Sequence, residues 1–458
     1  MTTLLYWRRN VKSAGAKMNT QQDQTMNPLP PYDLIIGLDR SDQTADLCLI
    51  QTHSGQRRTQ TIDTAPEALA EWLAQLRQQF PNARVGVCLE QPAVQLISFL
   101  EAYDWIGLHP VNPITLQKFR EAFITSRAKD DTRDAEFLAQ LLLTHHDKLP
   151  LWAPEDAQTR ALQQLVAHRR AVVDERTALT NRLIALLKQY FPQALTLCGD
   201  DLWRPLATRF LLKWPSLSAV KKAKTNSLKQ FYHLNGSRSQ SLLQARLDLV
   251  AKAVPITDDA ALINSFVLRV PLICRQLGLL TKTIADFDQQ IADTYAAHPD
   301  HDLFASFPGA GPVLGARLLA ALGSCRDRFP DARALQSHSG IAPVTKKSGG
   351  SCYIHRRYRC PTFKKQSFHE YAKESLLWCR WAAAYYLQQR TKGASHHTAV
   401  RALAYKWQRI LLRCWQNRTP YQDHIYVASL RQHHSPIVAL FDKVEPGKSP
   451  FKNPVKIS

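Results

Sequence analysis

Asp33-Leu34-Ile35-Ile36-Gly37-Leu38-Asp39 is the stretch that decides the fold. Its apolar, partly β-branched body reads as a buried strand, and it ends on a carboxylate. Residues 45–51 alternate as a second strand, Ser54-Gly55 marks a turn, and residues 60–62 suggest a third strand. Residues 67–80 carry a helical period. Arg84-Val85-Gly86-Val87-Cys88-Leu89-Glu90 repeats the opening theme: a buried-type strand that stops on an acid. Pro92 opens a helix running to about residue 103. A short strand over 106–111 runs into Pro113, and helices are expected over 114–124 and 131–145. This alternation predicts an α/β layer built on a mixed sheet.

The chain has 458 residues, enough for two or three domains. Its 59 Lys and Arg against 38 acids give a net charge of +21, and the pI is near 9.7. That excess suits a polyanionic partner, and nucleic acid fits better than a membrane surface. No apolar run approaches the roughly 20 residues of a membrane span. The first residues lack the apolar segment of a signal peptide. The nine cysteines are scattered with no CxxC, which reads as a reduced, cytoplasmic protein. Cys352, His355, Cys360 and His369 have poor spacing for zinc.

Residues 1–31 are expected to be a disordered extension, with Met18 and Met26 as alternative starts. The α/β domain then covers 32–150. In the following region, 151–300, apolar residues recur at three-four spacing from Leu162 to Tyr190 and again from Val270 to Tyr295. These are two coiled-coil-like seams, able to pair as an antiparallel hairpin or with a partner chain. Arg169 and Arg176 interrupt the first, at a seam edge or against a phosphate. Between them lies an insert with basic Lys221, Lys222 and Lys224. Residues 301–434 read as a mostly helical last domain, and 435–458 as a disordered tail.

Four acids stand out: Asp39, Glu90, Asp131 and Asp134. Ligands of open α/β sheets gather outside the carboxyl ends of strands. Asp39 and Glu90 would meet there if their strands are parallel neighbours. Asp131 and Asp134, three apart, share a helix face. Converging carboxylates cannot all ionise cheaply without a cation, and Mg²⁺ or Mn²⁺ is the hard-cation answer. Two such ions can clamp the attacking and leaving oxygens of a phosphodiester. Asp130 competes with Asp131, and Asp42 with Asp39.

Near the other end, residues 307–323 place Gly309 and Gly311 in a turn that opens a helix. This helix-hairpin-helix-like element offers backbone N–H groups to a phosphate. Beyond it, Lys346, Lys347, Arg356, Arg357, Arg359, Lys364 and Lys365 are seven basic residues in a run without an acid. Within that run, Ser348 and Ser351 flank Gly349-Gly350. The residues read first as a phosphate-binding loop. A serine in such a setting can also attack a phosphodiester, with the cations stabilising the transition state.

The order of these pieces resembles the DEDD-type transposases of insertion sequences, the bridge-RNA-guided serine recombinases related to pilin-gene DNA invertases. The first acid sits in Gly37-Leu38-Asp39 and the second in Cys88-Leu89-Glu90. The family's Lys-Thr-Asp-x-x-Asp-Ala appears as Lys129-Asp130-Asp131-Thr132-Arg133-Asp134-Ala135, a register that selects Asp131 over Asp130. The Ser-Gly-Gly turn falls at residues 348–350. The resemblance covers residues 32–421 and implies a RuvC-like (RNase H-like) N-terminal domain holding metal through Asp39, Glu90, Asp131 and Asp134. It places the nucleophile on Ser348. It implies donor and target DNA chosen by pairing with a structured bridge RNA, and homodimers that form tetramers through the coiled coil, in a nucleoid-associated protein. Departures are Arg40-Ser41-Asp42 after the first acid, Asp130 in place of threonine, and Tyr358-Arg359-Cys360-Pro361 after the Ser-Gly turn.

Two other functions fit parts of the sequence. A structure-selective endonuclease with water as nucleophile would need only the acids. A non-catalytic nucleic-acid-binding protein would need only the charge.

Overall fold

The computed structural model describes residues 30–91, 94–123 and 131–444, without the side chains of residues 94, 131, 132, 442 and 443. Lys129, Asp130 and the proposed extension before residue 30 lie outside the described residues. The chain divides into two compact units, residues 1–154 and 155–458.

The first unit holds β1 (Leu34–Arg40), β2 (Thr44–Gln51), β3 (Arg57–Asp63), α1 (Pro66–Gln79), β4 (Val85–Glu90), α2 (Val94–Leu100), β5 (Ile106–Val111), α3 (Pro113–Glu121) and α4 (Asp131–His145). The sheet order is β3-β2-β1-β4-β5. β1 runs antiparallel to β2 and parallel to β4, and β4 runs parallel to β5. The mixed sheet is the one the alternating sequence predicts.

Side-chain alternation along β1 divides two cores. Leu34, Ile36 and Leu38 pack with Leu69, Leu73 and Leu76 of α1 and with Leu96, Ile97 and Leu100 of α2. Ile35, Cys48, Ile50 and Cys88 pack with Leu116 of α3 and with Leu138, Ala139 and Leu142 of α4. The sheet is therefore covered on both faces. Gly37 faces α4, where a Cβ would overlap the Ala135 carbonyl oxygen. Glycine here, met by alanines on the helix, lets α4 lie directly on the strand.

The second unit is helical. α5 (Ala157–Tyr190) leads to five short helices: α6 (Gln193–Cys198), α7 (Pro205–Lys213), α8 (Leu217–Lys221), α9 (Thr225–Leu234) and α10 (Gln240–Lys252). α11 (Ala260–Ala296) returns along α5. Early residues of one pack with late residues of the other. Leu162 and Val166 share a core with Ile291 and Tyr295, while Tyr190 stacks on Phe266, centroids 4.8 Å apart. The two seams therefore meet within one chain as an antiparallel pair. Their interrupting arginines are used internally: Arg169 bonds Asp288 at 2.5 and 3.1 Å, and Arg176 lies over Trp203 at 4.0 Å. The segment read as an insert carries its own core around Phe210, Trp214, Phe231 and Tyr232.

α11 also corrects the expectation that no segment is long and apolar enough to span a membrane, because by length and composition this helix is. Its apolar residues Val270, Ile273 and Leu277 are buried in the second unit's core, as in a bundle helix.

The remainder comprises α12 (His301–Ala305), α13 (Pro312–Leu322), α14 (Ala332–His338), the hairpin β6 (Val344–Ser348) and β7 (Ser351–His355), α15 (Thr362–Trp378), α16 (Arg380–Thr391), α17 (His396–Asn417) and α18 (Asp423–Gln432). Trp381, Trp407 and Trp415 are fully buried, and each indole N–H is satisfied, by Tyr421, Ser375 and Gly323 respectively. The tail expected to be disordered from Ser435 instead continues into a 3-10 segment, Val438–Lys443, with Ile437, Phe441 and Val444 buried on this core. Burial of these three apolar side chains favours docking of the segment there. Residues beyond 444 lie outside the described set.

Candidate active site

In the first unit, β1 and β4 are parallel with Leu38 opposite Leu89. Asp39 and Glu90 follow those residues, at the same level of adjacent strands and at their carboxyl ends. By alternation from Gly37 and Cys88, both point to the face that carries α4. The close approach at Gly37 brings Asp134, the residue before Ala135, to the same place. Asp39, Glu90 and Asp134 line one cleft of about 200 Å³, with Pro113, Leu116, Gln117 and Arg120 of α3 completing its wall. Asp42, the rival of Asp39, is exposed in the β1–β2 turn and does not line it. Asp131 begins α4, but its side chain lies outside the described residues.

Asp134 is 6% exposed, so its charge needs a partner. Arg120 supplies one, donating from Nη1 to both carboxylate oxygens at 2.9 and 3.1 Å. The sequence gives no hint of this pair, because the partners lie on separate helices 14 residues apart. Asp46 lies beside the cleft without lining it. It stands opposite Asp39 across β1 and β2, and its Oδ1 accepts from Thr61 at 2.6 Å.

The donor set is all carboxylate oxygen, which suits a hard divalent cation. Neighbouring strands lie about 4.8 Å apart, and two unit charges at about 5 Å repel by about 3 kcal/mol at an effective dielectric of about 20. A cation held between them would remove that cost. Among the described residues, no three of His, Cys, Asp and Glu already converge on a single point. Asp134 is turned to Arg120 instead.

In the second unit, the basic stretch forms the β6–β7 hairpin, a pairing the sequence reading did not anticipate. Ser348 pairs with Ser351, and Gly349-Gly350 form a two-residue loop with Gly349 at φ 55°. Tight hairpins require positive φ at the first loop position, so glycine is needed there. The two serines close the ladder opposite each other, and both are exposed, as are Lys346 and Lys347. The hairpin geometry treats Ser348 and Ser351 alike.

Arg356, exposed, stacks over Tyr358 at 4.6 Å, and Arg359 is exposed. Arg357 and Lys365 are half-buried. Lys364 turns inward, its amino group 5.5 Å from the Phe329 ring centroid. Burial, reinforced by Arg328, pushes its pKa down to about 8. Burial, with Lys364 and Arg328, likewise pushes His338 down to about 4. Gly309, at φ 79°, packs against Trp378, and Gly311 caps α13 with Pro312 at its first position.

Similarity to known proteins agrees with this layout. A family model for DEDD transposases typified by IS110 matches residues 36–192, and one for transposases of the IS116/IS110/IS902 family matches residues 301–387. The chain is 30% identical to the IS117 mini-circle protein of Streptomyces coelicolor, over 70% of this chain and 79% of that one. It is 27% identical to the IS110 insertion-element protein of the same species, over 65% and 73%, and 27% identical to the IS900 protein of Mycobacterium paratuberculosis, over 60% and 68%. An acid-lined α/β unit followed by a basic helical unit, matched in this order, defines an insertion-element transposase, an enzyme that acts on DNA. The chain belongs to the IS116/IS110/IS902 family.

Proposed function

We propose that the chain cuts and rejoins DNA with a RuvC-like carboxylate site and a serine nucleophile, as a recombinase whose sites are chosen by a structured bridge RNA. The observation that carries the reading is the exposed hairpin tip, which presents Ser348 behind Lys346 and Lys347 while the acids line a separate cleft. Asp39, Glu90 and Asp134, with Asp131, would hold Mg²⁺ or Mn²⁺. When bound, the ion would supply charge neutralisation at the phosphate and at the departing oxygen.

The chain's own residues do the rest. Ser348 Oγ attacks phosphorus, and an Oγ–P bond forms as one P–O bond of the backbone breaks. The serine proton leaves to solvent, and the departing deoxyribose oxygen takes one up. Lys346 and Lys347 hold the developing negative charge. Attack by another strand's hydroxyl reverses the step, so the bond is conserved without an energy source. The two sites lie in different compact units, which suits pairing of one subunit's acids with another subunit's serine. Leu268, Leu272 and Leu279 on α11 are 79%, 53% and 66% exposed, an apolar stripe that supports a contact with a second copy.

Ser348→Ala should abolish the protein–DNA adduct seen on denaturing gels, and Ser351→Ala should retain it. Cleavage to free 5′-phosphate ends by Ser348→Ala would instead establish a water-dependent nuclease.

A further inference from the structure

At the root of the β6–β7 hairpin, opposite Ser348, lies a pocket of about 160 Å³. Arg356, Arg357, Lys365, His369 and Arg401 line it. Arg401 comes from α17 and His369 from α15, so elements far apart in sequence bring positive charge to one place. Glu370, an acid in its wall, is ion-paired with Arg317 and stands 3.9 Å from Arg170. Arg357 Nε is buried and meets no acceptor among the described residues. Burial, then His397 and Arg401, push the His369 pKa down, as expected for a buried imidazole beside positive charge. The loop bearing Arg356 and Arg357 is fixed at its end, because Cys360 Sγ fills the space above Gly340 (φ 75°) that a Cβ would need. Cys360 belongs to the segment in which this chain departs from the family pattern.

We infer that this pocket holds one backbone phosphate of the DNA strand that the hairpin tip addresses, and so sets the serine's register on that strand. A buried unpaired guanidinium donor among four cationic side chains matches the fork geometry of phosphate recognition. Four residue steps from Val344 to Ser348 span about 13 Å at about 3.3 Å each. A DNA strand rises about 3.4 Å per nucleotide along the axis and winds around it as well, so the anchored phosphate lies fewer than four nucleotides from the one at the tip. The inference rests on the proposed recombinase only for the strand's identity.

The test is arginine labelling of the full chain with phenylglyoxal, read residue by residue by mass spectrometry, with and without a short duplex of arbitrary sequence. Duplex should slow labelling of Arg401 and Arg357 about tenfold, the effect of one charge-assisted contact. Arg413, exposed on the same helix but outside the pocket, should be unaffected. In parallel, Arg401→Gln should reduce the slope of log affinity against log salt by about one, and Arg401→Lys should preserve it. Equal labelling of Arg401 with and without duplex overturns the inference. Protection by single-stranded RNA of the same sequence, but not by duplex, overturns the assignment to DNA. Neither readout involves cleavage, so both can fail while Ser348→Ala still abolishes the adduct, and both can hold if it does not.

Discussion

At the scale of single residues, the Arg120–Asp134 pair carries the most information about the carboxylate cleft. A carboxylate this buried without a positive partner would be costly, and the Arg120 guanidinium meets that need. It also competes with any ion for the same oxygens. Arg120→Gln should therefore destabilise the metal-free protein by about 2 kcal/mol, through the loss of a charged hydrogen-bond partner. Millimolar Mg²⁺ should recover more stability in this variant than in the wild type. Thermal unfolding with Mg²⁺ or with chelator measures both, and equal Mg²⁺ shifts in the two proteins would disconnect the arginine from the ion. Asp39 and Glu90 were legible because each ends an apolar strand. Arg120 was not, because its role comes from the packing of two helices, which no local pattern encodes. Lys364 shows the converse: in sequence it resembles its basic neighbours, yet the fold turns it inward.

Among the elements, α4 against β1 does most to build the cleft. The contact depends on Gly37, whose place inside a strand would otherwise be unfavourable. Gly37→Val should push α4 off the sheet and cost more than the 1–3 kcal/mol of ordinary overpacking, since the obstacle is backbone rather than a side chain that can rotate. Urea unfolding gives the stability, and limited proteolysis around residues 131–145 gives the displacement. A variant as stable as the wild type would show that α4 needs no such proximity. The strands and helices of this unit were readable because burial on one or two faces imposes periods of 2 and 3.6. The β6–β7 hairpin was not, since its strands are exposed on most positions and carry no apolar alternation. The helices between α5 and α11 were read as an insert because their core is assembled from five short segments together with the adjoining ends of α5 and α11.

For the whole molecule, the two seams pack against each other within the chain, and the apolar stripe left over lies on the outer face of α11. A two-fold contact would set this stripe against its own copy. Leu272→Lys should halve the particle mass in light scattering while leaving the helical circular dichroism unchanged. An unaltered mass would assign subunit contact to another surface. Within the second unit, α5 and α11 hold together two separate cores, one built by the helices between them and one by the basic helical region. Helices of 34 and 37 residues are each about 50 Å long. A tilt of about 5° at one end of such a strut displaces the other by about 4 Å, more than the length of a hydrogen bond. A small rotation of one core would thus reach the other as a displacement of several ångströms, which makes the pair the geometry of a lever as well as of a support.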